Sequence, residues 1–400
     1  MSQACDLGRR YFGLTNDETP SREGVVHSTS DDWEAATAAL QSARAPLVWG
    51  MASHGVDVAR AATALADRTR GYCDVAGPAA RGAEMRAFQE AGLSTATLGE
   101  VANRADLVVF WDCALARDAP RFWERFVELR SPPPAWGSPT RRTAAIVVGH
   151  DAEPTDVECV VRVEPEGRVA LLAALRAEIT GKPWRGDAIG GVAREQVGEL
   201  AQTLRSARYG AMLWGGAPSC AADAFAERDA MTRLIRELNG ERRFVGRGLA
   251  APAGAAAAEN ALCWQTGFPL AVSFTRGFPR YEPREYAAGR LLERGEVDAV
   301  VLVGPEAVDF LSADARHRLE KLPVIAIETR AKRYSGPVVA RFEVGVEGVE
   351  TAGVAYRMDD VPIPLRDVFA SQRSASASGD ELSARSATSV LTDFVARLAV

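Results

Sequence analysis

Chemistry at the carboxyl end of a parallel strand usually comes from a short loop carrying an acid, a base, a thiol or a metal ligand. The stretch 74–92, DVAGPAARGAEMRAFQEAG, contains a loop in that position with none of those groups. A β-like run, RGYCDV, leads in and an amphipathic helix pattern leads out. Between them lie Ala76, Gly77, Pro78, Ala79, Ala80 and Gly82, and the only reactive side chain is the fixed cation Arg81.

Two more loops follow strand patterns and precede helix patterns: GMASHG (50–55) and GGAPS (215–219). Such loops, which here include Ser53, Gly215 and Gly216, can hold a phosphate on helix N–H groups. Neither is a G-x-G-x-x-G or Walker sequence, and a plain strand–helix turn needs the same small residues. His54 lies on the first loop. General acid–base work would need a carboxylate to orient it; without one it is an exposed loop histidine.

The segment 264–286, WQTGFPLAVSFTRGFPRYEPREY, sets Trp264, Phe268, Phe274, Phe278 and Tyr281 among Arg276, Arg280 and Arg284. Its two Gly-Phe-Pro steps make rigid turns. Aromatic bodies beside guanidiniums suit a planar or polyanionic ligand, or a partner surface. The alternative is a long loop sealing one face of a sheet. A last cluster, Glu350, Thr351, Gly353, Tyr356 and Arg357 in 347–365, reads as an edge hairpin, or as a segment closing over a ligand.

The elements that must position these loops alternate. Helices are expected at 31–44 (capped by Ser30 or Asp31), 56–71 (closed by Gly71), up to about 90, 120–130 and 167–181. Buried strands are expected at 45–50, 73–75, 106–112 and 143–149, with a rigid linker at 131–139. The pattern restarts with helices at 194–207, 222–240 and 284–296, and strands at 209–216, 242–248, 297–304 and 322–328. A short helix at 392–400 closes the chain. Near-continuous apolar strands between helices predict an α/β fold with mostly parallel sheets.

Three stretches pair in order: APLVWGMAS with YGAMLWGGAPS, ADLVVFWD with VDAVVLVGPE, and TAAIVVGHD with LPVIAIETR. They predict two Rossmann-like parallel-sheet units in pseudo-repeat, facing each other across a cleft. The expected division is an irregular segment and helix at 1–44, a first unit at 45–190, a second at 191–335, and a C-terminal edge segment at 336–400, mobile at 371–389.

Composition narrows the function classes. A chain of 400 residues with 47% apolar and 25% charged residues is an ordinary globular protein too long for one core. A net charge of −6 argues against a nucleic-acid partner. The excess of Ala and Arg reflects a GC-rich genome rather than a function. Cys5, Cys73, Cys113, Cys159, Cys220 and Cys263 form no C-x-x-C pair, and His27, His54, His150 and His317 show no metal spacing. With no apolar leader and no apolar run of membrane length, a cytoplasmic protein is expected.

These segments, in this order, resemble the B subunit of formylmethanofuran dehydrogenase. They resemble more closely its bacterial relative, the B subunit of the formyltransferase/hydrolase complex. TLGEVANRADLVVFW and TGFPLAVSFTRGFPRY carry the resemblance most specifically, and it spans roughly 35–370. It implies a formate-dehydrogenase-like fold, in which two Rossmann-like domains embrace a tungsten or molybdenum bis-pterin guanine dinucleotide. The dehydrogenase reduces carbon dioxide to formate for condensation onto methanofuran.

The chain departs from that pattern where redox chemistry needs it most. The family's N-terminal C-x2-C-x3-C run and its later cysteine hold a [4Fe–4S] cluster with four thiolates. Here only Cys5 precedes Cys73. Ala80 and Arg81 occupy the V-C-H-G-like step whose cysteine ligates the metal. The resemblance therefore implies a protein with no catalytic residue, no metal ligand and no cofactor, its cleft marked by Ser53, Ala80, Arg81, Gly215 and Gly216. Arg81, Arg276 and Arg280 become anion or partner contacts. The implied partners are the amidohydrolase (A), formyltransferase (D) and C subunits. That complex moves the formyl group of formyl-tetrahydromethanopterin to a methanofuran-type carrier and releases formate. The alternative is an active tungsten or molybdenum formylmethanofuran dehydrogenase subunit.

Overall fold

The computed structural model describes residues 28–115, 119–128, 142–148, 157–215, 221–240, 242–249, 255–370 and 385–398. In chain order the strands are β1 (Pro46–Gly50), β2 (Tyr72–Val75), β3 (Leu107–Trp111), β4 (Arg142–Val148), β5 (Cys159–Val163), β6 (Ala188–Ile189), β7 (Val192–Ala193), β8 (Tyr209–Trp214), β9 (Arg243–Gly248), β10 (Val272–Ser273), β11 (Arg280–Tyr281), β12 (Ala299–Val303), β13 (Val324–Glu328), β14 (Ala340–Glu343), β15 (Gly353–Tyr356) and β16 (Pro362–Leu365). The α-helices are α1 (Ser30–Ser42), α2 (Val56–Arg68), α3 (Arg81–Ala91), α4 (Leu98–Arg104), α5 (Arg168–Thr180), α6 (Arg194–Ser206), α7 (Ala221–Leu238), α8 (Ala255–Thr266), α9 (Pro283–Tyr286), α10 (Ala288–Arg294), α11 (Ala313–Leu319) and α12 (Ala387–Arg397). Among the described residues, no helix is long and apolar enough to cross a membrane.

The chain divides into two compact units, but not at 190/191. One is Met1–Gly82 with Ala251–Val400; the other is Ala83–Ala250. The expected boundaries fail because strands from the two halves of the chain pair with each other. In the first unit, β1 lies between β2 and β12, in a sheet ordered β11-β10-β2-β1-β12-β13-β14. In the second, β3 pairs with β8, in a sheet ordered β5-β4-β3-β8-β9.

The strands matched in the sequence take corresponding places. The run β2-β1-β12-β13-β14 is parallel, as is β9-β8-β3-β4-β5. Position by position, β1 corresponds to β8, β12 to β3 and β13 to β4. Strands β1, β3, β12 and β13 are buried along their whole length, as parallel strands covered on both faces must be.

Local chemistry sets the ends of the elements. Thr29, one residue before the expected cap, caps α1: its hydroxyl accepts the Asp32 N–H at 3.2 Å, and the Asp32 carboxylate accepts the Thr29 N–H at 2.8 Å. At the end of α2 the left-handed residue is Arg70, with φ 51°, not Gly71. Gly71 serves a different need, since a Cβ there would lie 2.2 Å from the Pro46 carbonyl oxygen. The helix expected at 120–130 is a short π-helical turn, Trp123–Val127, and the one expected at 284–296 breaks at Ala287 into α9 and α10.

The segment after 335 is more than an edge. Strand β14 extends the main sheet of the first unit, and α12 packs on α2. Phe394 of α12 sits in an aromatic cluster with Trp33 and Phe342, with ring centroids 4.6–5.2 Å apart. Residues 371–384 lie outside the described residues. Ser386–Ser389, expected in the mobile stretch, are the capped first turn of α12.

Candidate functional site

In the sheet of the first unit, the connection from β1 leads to β2 on one side and the connection from β12 leads to β13 on the other. The gap between β1 and β12 is thus a topological switch point, where α/β sheets place ligands. Here the chain draws it together. Gly50 and Met51 leave β1 with φ 123° and 66°, and a Cβ on Gly50 would lie 2.0 Å from the Val303 carbonyl oxygen. The Ser53 hydroxyl donates to the Glu306 carboxylate, on the loop after β12.

His54 is not the exposed loop histidine expected from the sequence; only 6% of it is accessible. The orienting carboxylate is present. Glu347 Oε1 lies 3.6 Å from His54 Nδ1, and Oε2 accepts the Gly55 N–H at 2.8 Å. Gly55 is the N-cap of α2, so Glu347 also places a negative charge at the start of that helix. The 347–365 cluster does contain a hairpin, β15–β16, but it forms a two-stranded sheet of its own rather than the edge of a larger one.

Just before the loop after β2, Asp74 ties that strand to the starts of β10 and α10. Its carboxylate accepts N–H groups from Val75 (3.0 Å), Ala271 (2.9 Å) and Ala288 (2.7 Å). Burial pushes the Asp74 carboxyl up to about 6 despite these donors. Ala80 is buried. Arg81 forks onto Glu259 of α8, Nε to Oε1 at 2.7 Å and Nη2 to Oε2 at 2.6 Å. Gly82 is fixed by its neighbour, since a Cβ there would lie 2.5 Å from Pro283 Cβ. The sequence pattern had pointed to neither α8 nor Glu259. Arg276 and Arg280 lie elsewhere in this unit, on the β10–β11 hairpin.

The second unit has its own switch point, between β3 and β8. Gly215 follows β8, and a Cβ there would meet the Asp112 carbonyl oxygen at 2.0 Å. Gly216 lies outside the described residues. Beneath this point runs a buried charge network that the sequence did not reveal. Glu227, fully buried, accepts from Trp111 Nε1 (2.6 Å), Arg168 (3.0 Å) and Arg228 (2.9 Å). Arg228 reaches Glu84 at 3.2 Å, and Glu84 accepts from Trp214 Nε1 at 2.8 Å. Asp112, 3.8 Å from Arg168, has its carboxyl raised by burial, with Arg168 opposing and Glu227 adding to the rise.

The donor set decides whether a metal fits the first unit's loop. Ala80 offers a methyl group, and the Arg81 fork is already bound to a carboxylate. Cys73, behind it on β2, is fully buried, and desolvation pushes its thiol far above the usual range, which disfavours a ligating thiolate. No group of three or more His, Cys, Asp or Glu with metal-site spacing occurs among the described residues. These residues do not fit a tungsten or molybdenum centre ligated through this loop.

No protein-family model matches the chain. Over 92% of its length it is 28% identical to the B subunit of the tungsten-containing formylmethanofuran dehydrogenase 2 of Methanococcus maripaludis, covering 87% of that protein. Over 67% of its length it is 27% identical to the B subunit of the formyltransferase/hydrolase complex Fhc of Methylorubrum extorquens, covering 69% of it. The fold matches a chain in the crystal structure of the formyltransferase/hydrolase complex FhcABCD from Methylorubrum extorquens in complex with methylofuran. The TM-score is 0.73 at 24% identity, over 93% of this chain and 97% of that one. The chain is thus a homologue of the B subunits of formylmethanofuran dehydrogenase and of the formyltransferase/hydrolase complex.

Proposed function

We propose that this protein is the B subunit of a cytoplasmic formyltransferase/hydrolase-type complex and has no catalytic site of its own. Its role is to hold the amidohydrolase (A), formyltransferase (D) and C subunits together. The complex transfers the formyl group of formyl-tetrahydromethanopterin to a methanofuran-type carrier and hydrolyses the carrier's formyl amide to formate. The observation that carries this reading is the Arg81–Glu259 fork, in the loop where the resemblance puts a metal-ligating cysteine. A fixed cation held by a buried acid cannot ligate a metal, take up a proton or act as a nucleophile. The two Rossmann-like units are then a fold kept for its shape, without a pterin or an iron–sulfur cluster.

The test is reconstitution with the A, C and D subunits. The expected result is a stable complex whose hydrolase activity falls when this chain is left out. A chain that stays monomeric, beside an amidohydrolase equally active alone, overturns the reading.

One observation favours a second reading, an active dehydrogenase subunit: the similarity to the dehydrogenase protein is the longer of the two, 92% of the chain against 67%. Metal analysis separates them. Stoichiometric tungsten or molybdenum with bound guanine dinucleotide supports the dehydrogenase.

A further inference from the structure

Two carboxylates from distant parts of the chain sit on the loop after β1, whose small residues suit a phosphate. Glu306 takes the Ser53 hydroxyl. Glu347 takes the more telling position. Its Oε2 accepts the N–H of Gly55, the N-cap of α2, at 2.8 Å. That N–H is one of the donors a helix leaves open at its start, and the space in front of it favours negative charge.

The surroundings of Glu347 are shaped around an anion's oxygen. A Cβ on Gly55 would lie 2.6 Å from Oε2, and a Cβ on Gly353 would lie 2.8 Å from the same atom. The three atoms nearest to a Gly353 Cβ all belong to Glu347. His54 closes another side. It is buried, its Nδ1 lies 3.6 Å from Oε1, and its ring makes no hydrogen bond among the described residues. An imidazole so placed can donate to the oxygen that fills the seat.

A fastened turn delivers the carboxylate. The Gly345 N–H donates to the Arg385 carbonyl at 3.0 Å, and the Val346 N–H donates to Glu350 Oε2 at 3.0 Å. Arg330 holds Glu350 at 3.0 Å and Glu343 at 3.3 Å. A free anion must therefore compete with a tethered one. It must also approach a like charge, which repels it.

We propose that Glu347 is a built-in lock: its carboxylate fills an oxyanion seat formed by the Gly55 N–H and His54, and keeps phosphate groups out of the first unit's loop. The lock does not rest on the subunit role, so the two fail separately.

The test uses the full chain as parent, Glu347→Ala and Gly353→Ala, with inorganic phosphate as the probe and chloride at equal ionic strength as the reference. Glu347→Ala empties the seat. Gly353→Ala crowds only the flexible end of Glu347 and pushes it off Gly55. Melting in chloride shows which variants fold. Phosphate is expected to bind Glu347→Ala about tenfold or more tightly than the parent, and to raise its melting temperature. It is also expected to restore the protection of the 56–59 amides against hydrogen exchange. Gly353→Ala is expected to gain in the same direction but less, and it decides the matter should Glu347→Ala not fold. Equal phosphate affinity in the parent and the variants overturns the lock, and so does a lack of binding by every folded variant. Stabilisation without added protection at 56–59 places the anion elsewhere and overturns it as well.

Discussion

The Arg81 guanidinium is forked onto the Glu259 carboxylate, with both N···O distances at or below 2.7 Å across 178 residues of sequence. The side chains are 23% and 11% exposed, so the pair is shielded but not dry. It ties the loop after β2 to α8. Arg81→Met strands the Glu259 charge in a largely buried site, and a loss of about 1–3 kcal/mol is expected, below the cost for a fully buried pair. Arg81→Met/Glu259→Met removes both charges and is expected to recover most of that loss. Urea midpoints of the four proteins give the coupling. Additive losses would show that the pair does not act as a tie.

Asp74 makes stability depend on pH. Its folded value, about 6, lies above the ordinary 3.8, and burial is the cause. Between those values the folded chain holds a proton that the unfolded chain has lost. The contribution is fully present below about 3.8 and is lost as pH rises through about 6. Parent stability is therefore expected to fall over this window by a few kcal/mol relative to Asp74→Asn, which cannot titrate. Urea midpoints at several pH values measure the difference; equal slopes for the two proteins would refute it.

The parallel strands were legible because they are buried on both faces: Leu107–Trp111 and Ala299–Val303 are unbroken apolar runs. Strand β5 was not, because Cys159, Val160 and Arg162 face solvent on a sheet edge. Helix α8 escaped for the opposite reason. Ala255–Ala258 are all buried, so no amphipathic stripe appears, and only alanine's helix propensity marks it. Missing α8 meant missing Glu259. The carboxylates that meet Ser53 and Gly55 come from 253 and 292 residues away, and no local pattern announces them. The division into units was hidden as well, because the chain passes from one to the other inside α3.

Glu347 is expected to matter through the start of α2 rather than through its own loop. It accepts the N-cap Gly55 N–H and faces His54. Glu347→Ala leaves that N–H without its acceptor and removes a favourable charge, at a cost of about 1–2 kcal/mol. Glu347→Gln keeps an acceptor oxygen and is expected to cost less than half of that. Hydrogen exchange at 56–59 reports the local effect. Unchanged protection in Glu347→Ala would disprove it.

In the second unit, the order of losses separates a network from a set of independent bonds. Glu227 accepts from one indole and two guanidiniums while fully buried. Glu227→Leu deprives all three donors at once, and about 3–5 kcal/mol is expected to be lost. Arg168 is a weaker member, since its Nε is buried with no acceptor. Arg168→Met removes that orphaned group and leaves Glu227 two donors, so the expected loss is smaller, about 1–2 kcal/mol. Glu227→Gln keeps an acceptor and lifts one of the charges that raises the Asp112 carboxyl. The Asp112 acidity, followed by carboxyl carbon NMR, is therefore expected to shift to lower pH in Glu227→Gln. A shift upward, or an Arg168→Met loss as large as that of Glu227→Leu, would mean that Glu227 is not the centre of the network.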